Sequence, residues 1–116
     1  MTMREAIARA DEIRPNTVGD ETKAGWVHDL DGDFAETLQV AVPRNNWPDD
    51  RDLLMPHPAD EVYPLYLCAM IDFAQQDMQQ YQVDQAMYES ARAQAAAWWR
   101  RTHRPRVTPC GARWYP

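Results

Sequence analysis

The sequence predicts an all-α fold: a small bundle of about four helices with a central antiparallel hairpin, a long proline-rich loop and an irregular C-terminal tail. Three observations lead to this prediction. Apolar residues recur at spacings of three and four along four segments, which is the period of an amphipathic helix. Capping or helix-breaking residues bound each of these segments. β-branched residues are sparse and nowhere alternate with polar residues over five positions, so no strand is expected.

The first helix is predicted over Met3–Arg14. Thr2 and Glu5 have the spacing of a capping box, in which each side chain satisfies a backbone N–H of the other residue. Pro15 ends the segment, because the residue before a proline is disfavoured in the α region. The apolar stripe of this helix consists of Ala6, Ile7, Ala10 and Ile13.

The second helix is predicted over Asp20–Val40. Asp20 and Glu21 place a capping residue and a first-turn acid at its start, where the helix dipole favours negative charge. A local bend or fraying is expected near Gly32, since glycine lowers helix stability by about 1 kcal/mol relative to alanine. The stripe consists of Val27, Leu30, Phe34, Leu38 and Ala41.

The proline-rich loop follows, from Ala41 to Pro58. The helical pattern disappears here among prolines, asparagines and aspartates, which are residues typical of turns. Within the loop, Asp52–Met55 is predicted to be a short extended piece. A loop of this length in so small a domain is uncommon, and such loops often serve function or partner docking.

The third and fourth helices are predicted over Asp60–Gln82 and Gln85–Thr102, with Asp84 capping the second of them. The break at Val83 and Asp84 is short, which predicts an antiparallel helical hairpin. The third helix is expected to be the central buried one. Its stripe consists of Tyr63, Leu67, Met70, Ile71, Ala74, Met78 and Tyr81, widened by Tyr66 and Phe73.

Charge is distributed unevenly along the 116 residues, whose formal net charge is −6. Residues 1–99 hold 18 acids and seven bases, a charge of −11, whereas residues 100–116 hold five arginines and no acid, a charge of +5. A body of negative sign repels phosphate, so DNA binding through a broad surface is not expected. The longest apolar stretch falls short of a membrane span, and acids occupy the first residues where a signal peptide needs bases. The sequence therefore predicts a protein that is cytoplasmic where it is made.

Motifs for catalysis or metal binding do not emerge from the sequence. Residues 29–33 resemble a calcium loop, but Phe34 and Val40 stand where that loop needs glycine and glutamate, so a solvated acidic helix face is predicted instead. The three histidines are far apart, and the four glycines never cluster into a phosphate loop. Cys68 and Cys110 are expected to be free thiols. No catalytic residue, metal or cofactor is predicted, and the chain is not expected to be an enzyme.

Aromatic residues give a stronger indication of function. Trp98 and Trp99 are adjacent on a helix and diverge by about 100°, so either one of them faces a partner or the loop covers both. Trp47 and Trp114 are either lids over the core or contacts to another subunit. The basic tail could contact nucleic acid, offset the dipole of the last helix, or bind the acidic body of a neighbouring copy, and the last option is favoured. The predicted contact residues are Trp47, Trp99, Arg101, Arg104, Arg106 and Trp114.

Five segments together resemble a known family. They are Arg4–Asn16, Glu21–Gly32, Asp60–Leu67, Ile71–Ala74 and Trp98–His103. The chain resembles small phage and prophage head–tail connector (head-completion, adaptor) proteins over about residues 3–103. On this resemblance, residues 1–103 form a helical connector-like domain, and residues 104–116 form a basic C-terminal tail that departs from the family's pattern.

The resemblance implies a structural virion protein without catalysis. Copies of such a subunit form a ring at the virion neck, after synthesis in the cytoplasm of the bacterial host, and join the capsid portal to the tail. The implied partners are further copies of the chain, the portal and the tail-side proteins. Transiting DNA would make only passive contact, because an acidic lining does not neutralise phosphates. The alternative reading of the sequence is a small helical adaptor or regulatory protein that binds one protein partner.

Overall fold

The structure is a computed structural model that describes residues 1–41, 47–49 and 51–103. Its four α-helices are α1 (Met3–Ile13), α2 (Asp20–Leu38), α3 (Val62–Ala74) and α4 (Met78–Thr102), and a single 3-10 turn, Ala59–Glu61, precedes α3. No strand occurs among these residues, where Thr2 and Asp52 form one isolated β-bridge. The prediction of an all-α bundle is confirmed. The predicted tail, residues 104–116, lies outside the described residues.

The first two helices begin at or near the predicted positions. In α1 the capping box is present: the Thr2 N–H donates to Glu5 Oε1 at 2.9 Å, and the Glu5 N–H donates to Thr2 Oγ1 at 3.3 Å. The helix α2 continues through Gly32 without interruption. It ends at Leu38, because Gln39 adopts the left-handed conformation with φ 57°. The expected bend near Gly32 therefore does not break the helix.

The boundary between α3 and α4 differs from the predicted one. The break lies at residues 75–77, where Gln76 has a φ of 61°, and Asp77 is the N-cap that accepts a hydrogen bond from the Gln80 N–H at 3.2 Å. Asp84 lies inside α4 and caps nothing. The prediction was wrong because apolar residues continue at helical spacing across the true turn. Two of them, Phe73 and Met78, are exposed rather than buried.

Replacing Asp77 with alanine tests this boundary. Loss of the N-cap hydrogen bond is expected to lower the free energy of unfolding by about 0.5–2 kcal/mol. Denaturant unfolding of Asp77→Ala measures the change, with Asp29→Ala as control, since Asp29 is an exposed aspartate within α2. An equal effect of the two substitutions would contradict the position of the cap.

The hairpin of α3 and α4 is antiparallel. Tyr66 of α3 and Tyr88 of α4 have ring centroids 4.9 Å apart. Val62 lies one turn before Tyr66, and it lines the same pocket as Ala95, which lies two turns after Tyr88. The helices α1 and α2 pack against α3. Leu67 and Ile71 of α3 are fully buried, as the stripe predicts. In α4, only Asp84, Tyr88 and Ala95 are buried, so this helix covers one side of the core and exposes the rest.

A buried carboxylate fixes the loop to the bundle. Asp31 is 2% exposed, so the prediction that residues 29–33 form a solvated acidic face was wrong for this residue. Its Oδ1 accepts from the Tyr63 hydroxyl at 2.6 Å, and its Oδ2 accepts from the Leu54 N–H at 3.0 Å. The same hydroxyl accepts from the Met55 N–H at 2.8 Å. The predicted extended piece Asp52–Met55 is thereby tied to α2 and α3.

A second polar cluster joins three helices. Arg14 follows α1, and its guanidinium donates to both carboxylate oxygens of Asp84 at 3.0 and 3.1 Å. Its Nε lies 3.5 Å from Asp72 Oδ1. The Asp72 and Asp84 side chains are only 2% and 8% exposed. We call these three residues the arginine clasp. It holds the end of α1 to α3 and α4.

Candidate interaction surface

A groove runs between the start of α3 and the C-terminal half of α4. Its volume is about 260 Å³, close to the lower end of the range for small-ligand pockets. It can therefore take a few side chains. We call it the hairpin groove. Its lining residues come from the segment before α3, from the first residue of α3 and from α4; they are Pro58, Ala59, Glu61, Val62, Ala91, Gln94, Ala95, Trp98 and Arg101.

The groove follows from the unequal lengths of the two hairpin helices. With 25 residues against 13 in α3, α4 extends past the start of its partner. Its last turns therefore face the 3-10 turn and Pro58 instead of another long helix. Ala91 and Ala95 are four residues apart and so lie on the same face. Their small side chains leave open the space that larger residues would fill.

A second depression continues the hairpin groove along the same two helices. It shares Ala91 and Gln94 with the groove and adds Leu65, Met87 and two small residues of α4. The side chain of Met87 is about half exposed. The concave surface between α3 and α4 is therefore largely apolar over several helical turns.

The charged residues at the groove are exposed. Glu61 accepts a hydrogen bond from Arg9 at 2.7 Å, and both side chains are more than half exposed, so this pair contributes little to stability. Arg101 is exposed on the last turn of α4. After Glu89, α4 carries only basic charges, and Arg92 among them pairs with Asp33 at 2.8 Å. The end of α4 is thus a basic region on an acidic body.

The adjacent tryptophans face different surroundings. Trp99 packs against the hydrophobic core and stacks on His103, with ring centroids 3.8 Å apart and planes 3° apart. Trp98 lines the hairpin groove and is half-buried. Of the two, Trp98 is therefore the one available to a partner. The predicted contact residues include Trp99 and omit Trp98, because the sequence shows only that the two diverge.

The structure separates the remaining predicted contact residues. Trp47 is half-buried and packs against the core, and the Arg4 guanidinium lies 4.7 Å from its ring centroid. Arg4 also donates to the Pro48 carbonyl at 2.8 Å. This arrangement favours the alternative in which Trp47 is a lid. Arg101 lines the hairpin groove. The other three, Arg104, Arg106 and Trp114, lie outside the described residues.

Reactive chemistry has little support in the described part of the chain. No three side chains of His, Cys, Asp or Glu are grouped there to hold a metal ion. Burial raises the pKa of the Cys68 thiol to about 11, which keeps it protonated and unreactive at neutral pH. Among the same residues, no helix is long and apolar enough to cross a membrane. The hairpin groove, in contrast, brings Trp98 and Arg101 together on one concave surface.

Comparison with known proteins gives no relative. No family model, no curated protein and no solved structure matches the chain.

Proposed function

We propose that the protein is a non-catalytic structural subunit of a phage or prophage neck, a head–tail connector that forms a ring between portal and tail. The observation that carries the proposal is the hairpin groove: an apolar concave surface that ends in Trp98 and Arg101. Tryptophan and arginine are the residue types that most often dominate the binding energy of protein interfaces. The groove thus supports a role in binding another protein.

Ring formation agrees with the distribution of charge. Residues 1–99 carry −11 and residues 100–116 carry +5, so two different parts of identical chains attract each other. Such head-to-tail contacts generate a ring whenever the rotation between neighbouring copies closes. The resemblance over about residues 3–103 supplies the place of that ring, at the virion neck.

Deleting the gene from an inducible parent prophage tests the proposal. We expect induced cells to accumulate DNA-filled heads and free tails, and a plasmid copy of the gene to restore joined particles. Electron microscopy of the lysates gives the measurement, and an empty plasmid is the control. Normal tailed particles from the deletion strain would overturn the connector proposal and favour a small adaptor with one protein partner.

A further inference from the structure

We infer that residues 104–116 of one copy dock in the hairpin groove of a second copy. This inference rests on the proposed function, because it names the partner of the groove within the ring. It assigns an occupant to a surface that is otherwise an open apolar depression between α3 and α4.

The position of the groove supports this occupant. Trp98 and Arg101, which line the groove, lie in the last two turns of α4, and the helix ends at Thr102. Thirteen residues follow His103. Fully extended, they would span at most about 45 Å, which exceeds the roughly 37 Å length of α4. The segment is therefore long enough to leave one copy and cover the groove of its neighbour.

The composition of residues 104–116 matches the chemistry of the groove. The segment has three prolines, three arginines and no acid, and it also contains Val107, Trp114 and Tyr115. Proline-rich segments bind grooves lined by aromatic side chains, because they lose little conformational entropy on docking. Trp98 supplies the aromatic surface. Of the two charged lining residues, Glu61 attracts the arginines of the segment and Arg101 repels them, so the apolar and aromatic contacts carry the match.

A second copy is favoured over the chain's own groove. The hairpin groove lies alongside α4 between Ala91 and Arg101, on the N-terminal side of the residue at which the helix ends. To enter it, the same chain would have to reverse direction directly after His103. Docking in a second copy, by contrast, supplies the head-to-tail contact that the proposed ring requires.

Two variants of the full chain separate the two sides of the contact. Gln94→Arg places a long cation in the groove at an exposed position of α4 that favours helix, so the fold is expected to be retained. Trp114→Ser with Tyr115→Ser removes the aromatic residues of the docking segment. Gln82→Arg is the matched control, since it makes the same change at an exposed α4 position outside the groove.

Sedimentation velocity over a range of protein concentrations is the measurement. The wild-type chain and Gln82→Arg are expected to self-associate, whereas the groove variant and the segment variant are each expected to do so at least about tenfold more weakly. A mixture of the two variants is expected to give a heterodimer that does not grow further, because the pair has one intact groove and one intact segment. Circular dichroism confirms that each variant retains its helices.

Several outcomes would overturn the inference. Wild-type self-association that survives Gln94→Arg would mean that the groove has another role. A chain that stays monomeric at all concentrations would contradict docking between copies. A mixture that fails to form heterodimers would also contradict docking between copies. The measurement uses purified protein without portal, so its outcome is independent of the gene-deletion test.

Discussion

Replacing Arg14 with methionine is expected to lower the free energy of unfolding by about 3–5 kcal/mol near pH 8, and by less near pH 5. Arg14 is the cation of the arginine clasp, and removing it leaves the buried Asp72 and Asp84 carboxylates side by side. Removing one partner of a buried ion pair costs this much because a buried charge is left without compensation.

The pH dependence follows from the two carboxyl groups. Burial, a hydrogen bond to Asp84 and the charge of Asp84 raise the pKa of Asp72 to about 7. Burial opposes the shift of Asp84, but hydrogen bonds from Asp72, Arg14 and Gln80 hold its pKa below the ordinary value. Asp72 Oδ2 is buried with no hydrogen-bond partner among the described residues. A proton on the Asp72 carboxyl group supplies the donor for its hydrogen bond with Asp84.

The sign of the effect on stability is set by proton uptake. From about pH 4 to pH 7 the folded state holds a proton on Asp72 that the unfolded state has lost, so the stability from this group falls as pH rises through that window. Asp84 has a lowered pKa in the folded state, so it has the opposite effect: its contribution to the free energy of unfolding is lost as pH falls below the ordinary pKa of an aspartate. The negative charges of Asp77 and Asp84 raise the pKa of Asp72, and the positive charge of Arg14 lowers it. Without Arg14 the pKa of Asp72 rises further. Arg14→Met therefore costs least at pH 5, where Asp72 keeps its proton in both proteins, and more at pH 8, where the variant must either hold that proton or bury a second charge.

Urea unfolding at the two pH values measures the difference. Arg9→Met is the matched control, because Arg9 lies on α1 five residues before Arg14 and forms an exposed pair with Glu61. It is expected to cost less than about 1 kcal/mol at both pH values. Asp72→Asn in the Arg14→Met background should recover part of the loss at pH 8, since it removes one of the two buried charges. Equal, pH-independent losses for both arginine variants would show that the clasp contributes no more than a surface pair.

Local signals in the sequence were sufficient for much of the fold. The capping box of Thr2 and Glu5 needs only residues three apart, and it forms as predicted. The stripe through Leu67 and Ile71 identified the core face of α3, because burial of apolar side chains at helical spacing is the main source of helix stability in proteins. Such features depend on neighbours in sequence, which the chain displays directly.

The α3–α4 boundary depended on tertiary contacts that the sequence does not display. Asp77 and Asp84 are both aspartates that can cap a helix, and the pattern alone cannot rank them. The structure uses Asp77 as the cap and places Asp84 in the arginine clasp, 70 residues from Arg14. A carboxylate bound by a distant guanidinium is not available as a cap. The wrong boundary therefore reflects a long-range ion pair.

The candidate site was only partly predictable for the same reason. The divergence of Trp98 and Trp99 follows from helix geometry, but which of them faces outward depends on how α4 rotates against the core. The hairpin groove depends on the difference in length between α3 and α4, and the misplaced boundary hid that difference. A prediction that started α4 at Met78 would have shown that the C-terminal half of this helix extends beyond α3.

Replacing Asp31 with alanine is the second substitution with a large expected effect, a loss of about 2–6 kcal/mol in the free energy of unfolding. The carboxylate accepts hydrogen bonds from the Tyr63 hydroxyl and from the Leu54 N–H. Its removal leaves both donors without their acceptor. Each buried donor left without a partner costs about 1–3 kcal/mol. Burial raises the pKa of Asp31 despite these two hydrogen bonds, which means that the folded state disfavours its charge. The loss in the free energy of unfolding therefore comes from the two donors that lose their acceptor and not from the removed charge.

Asp33→Ala is the matched control for this prediction, because Asp33 lies two residues away on α2 and is 56% exposed in its pair with Arg92. Its loss is expected to stay within about 1 kcal/mol. Asp31→Asn should fall between the two, since the amide keeps one acceptor oxygen but turns its NH₂ group toward the other donor. Thermal and urea unfolding give the three values. A loss for Asp31→Ala no greater than that for Asp33→Ala would contradict the view that this carboxylate ties the loop to α2 and α3. Leaving the buried Tyr63 hydroxyl and the part-buried Leu54 N–H without an acceptor is expected to cost more than losing an exposed ion pair.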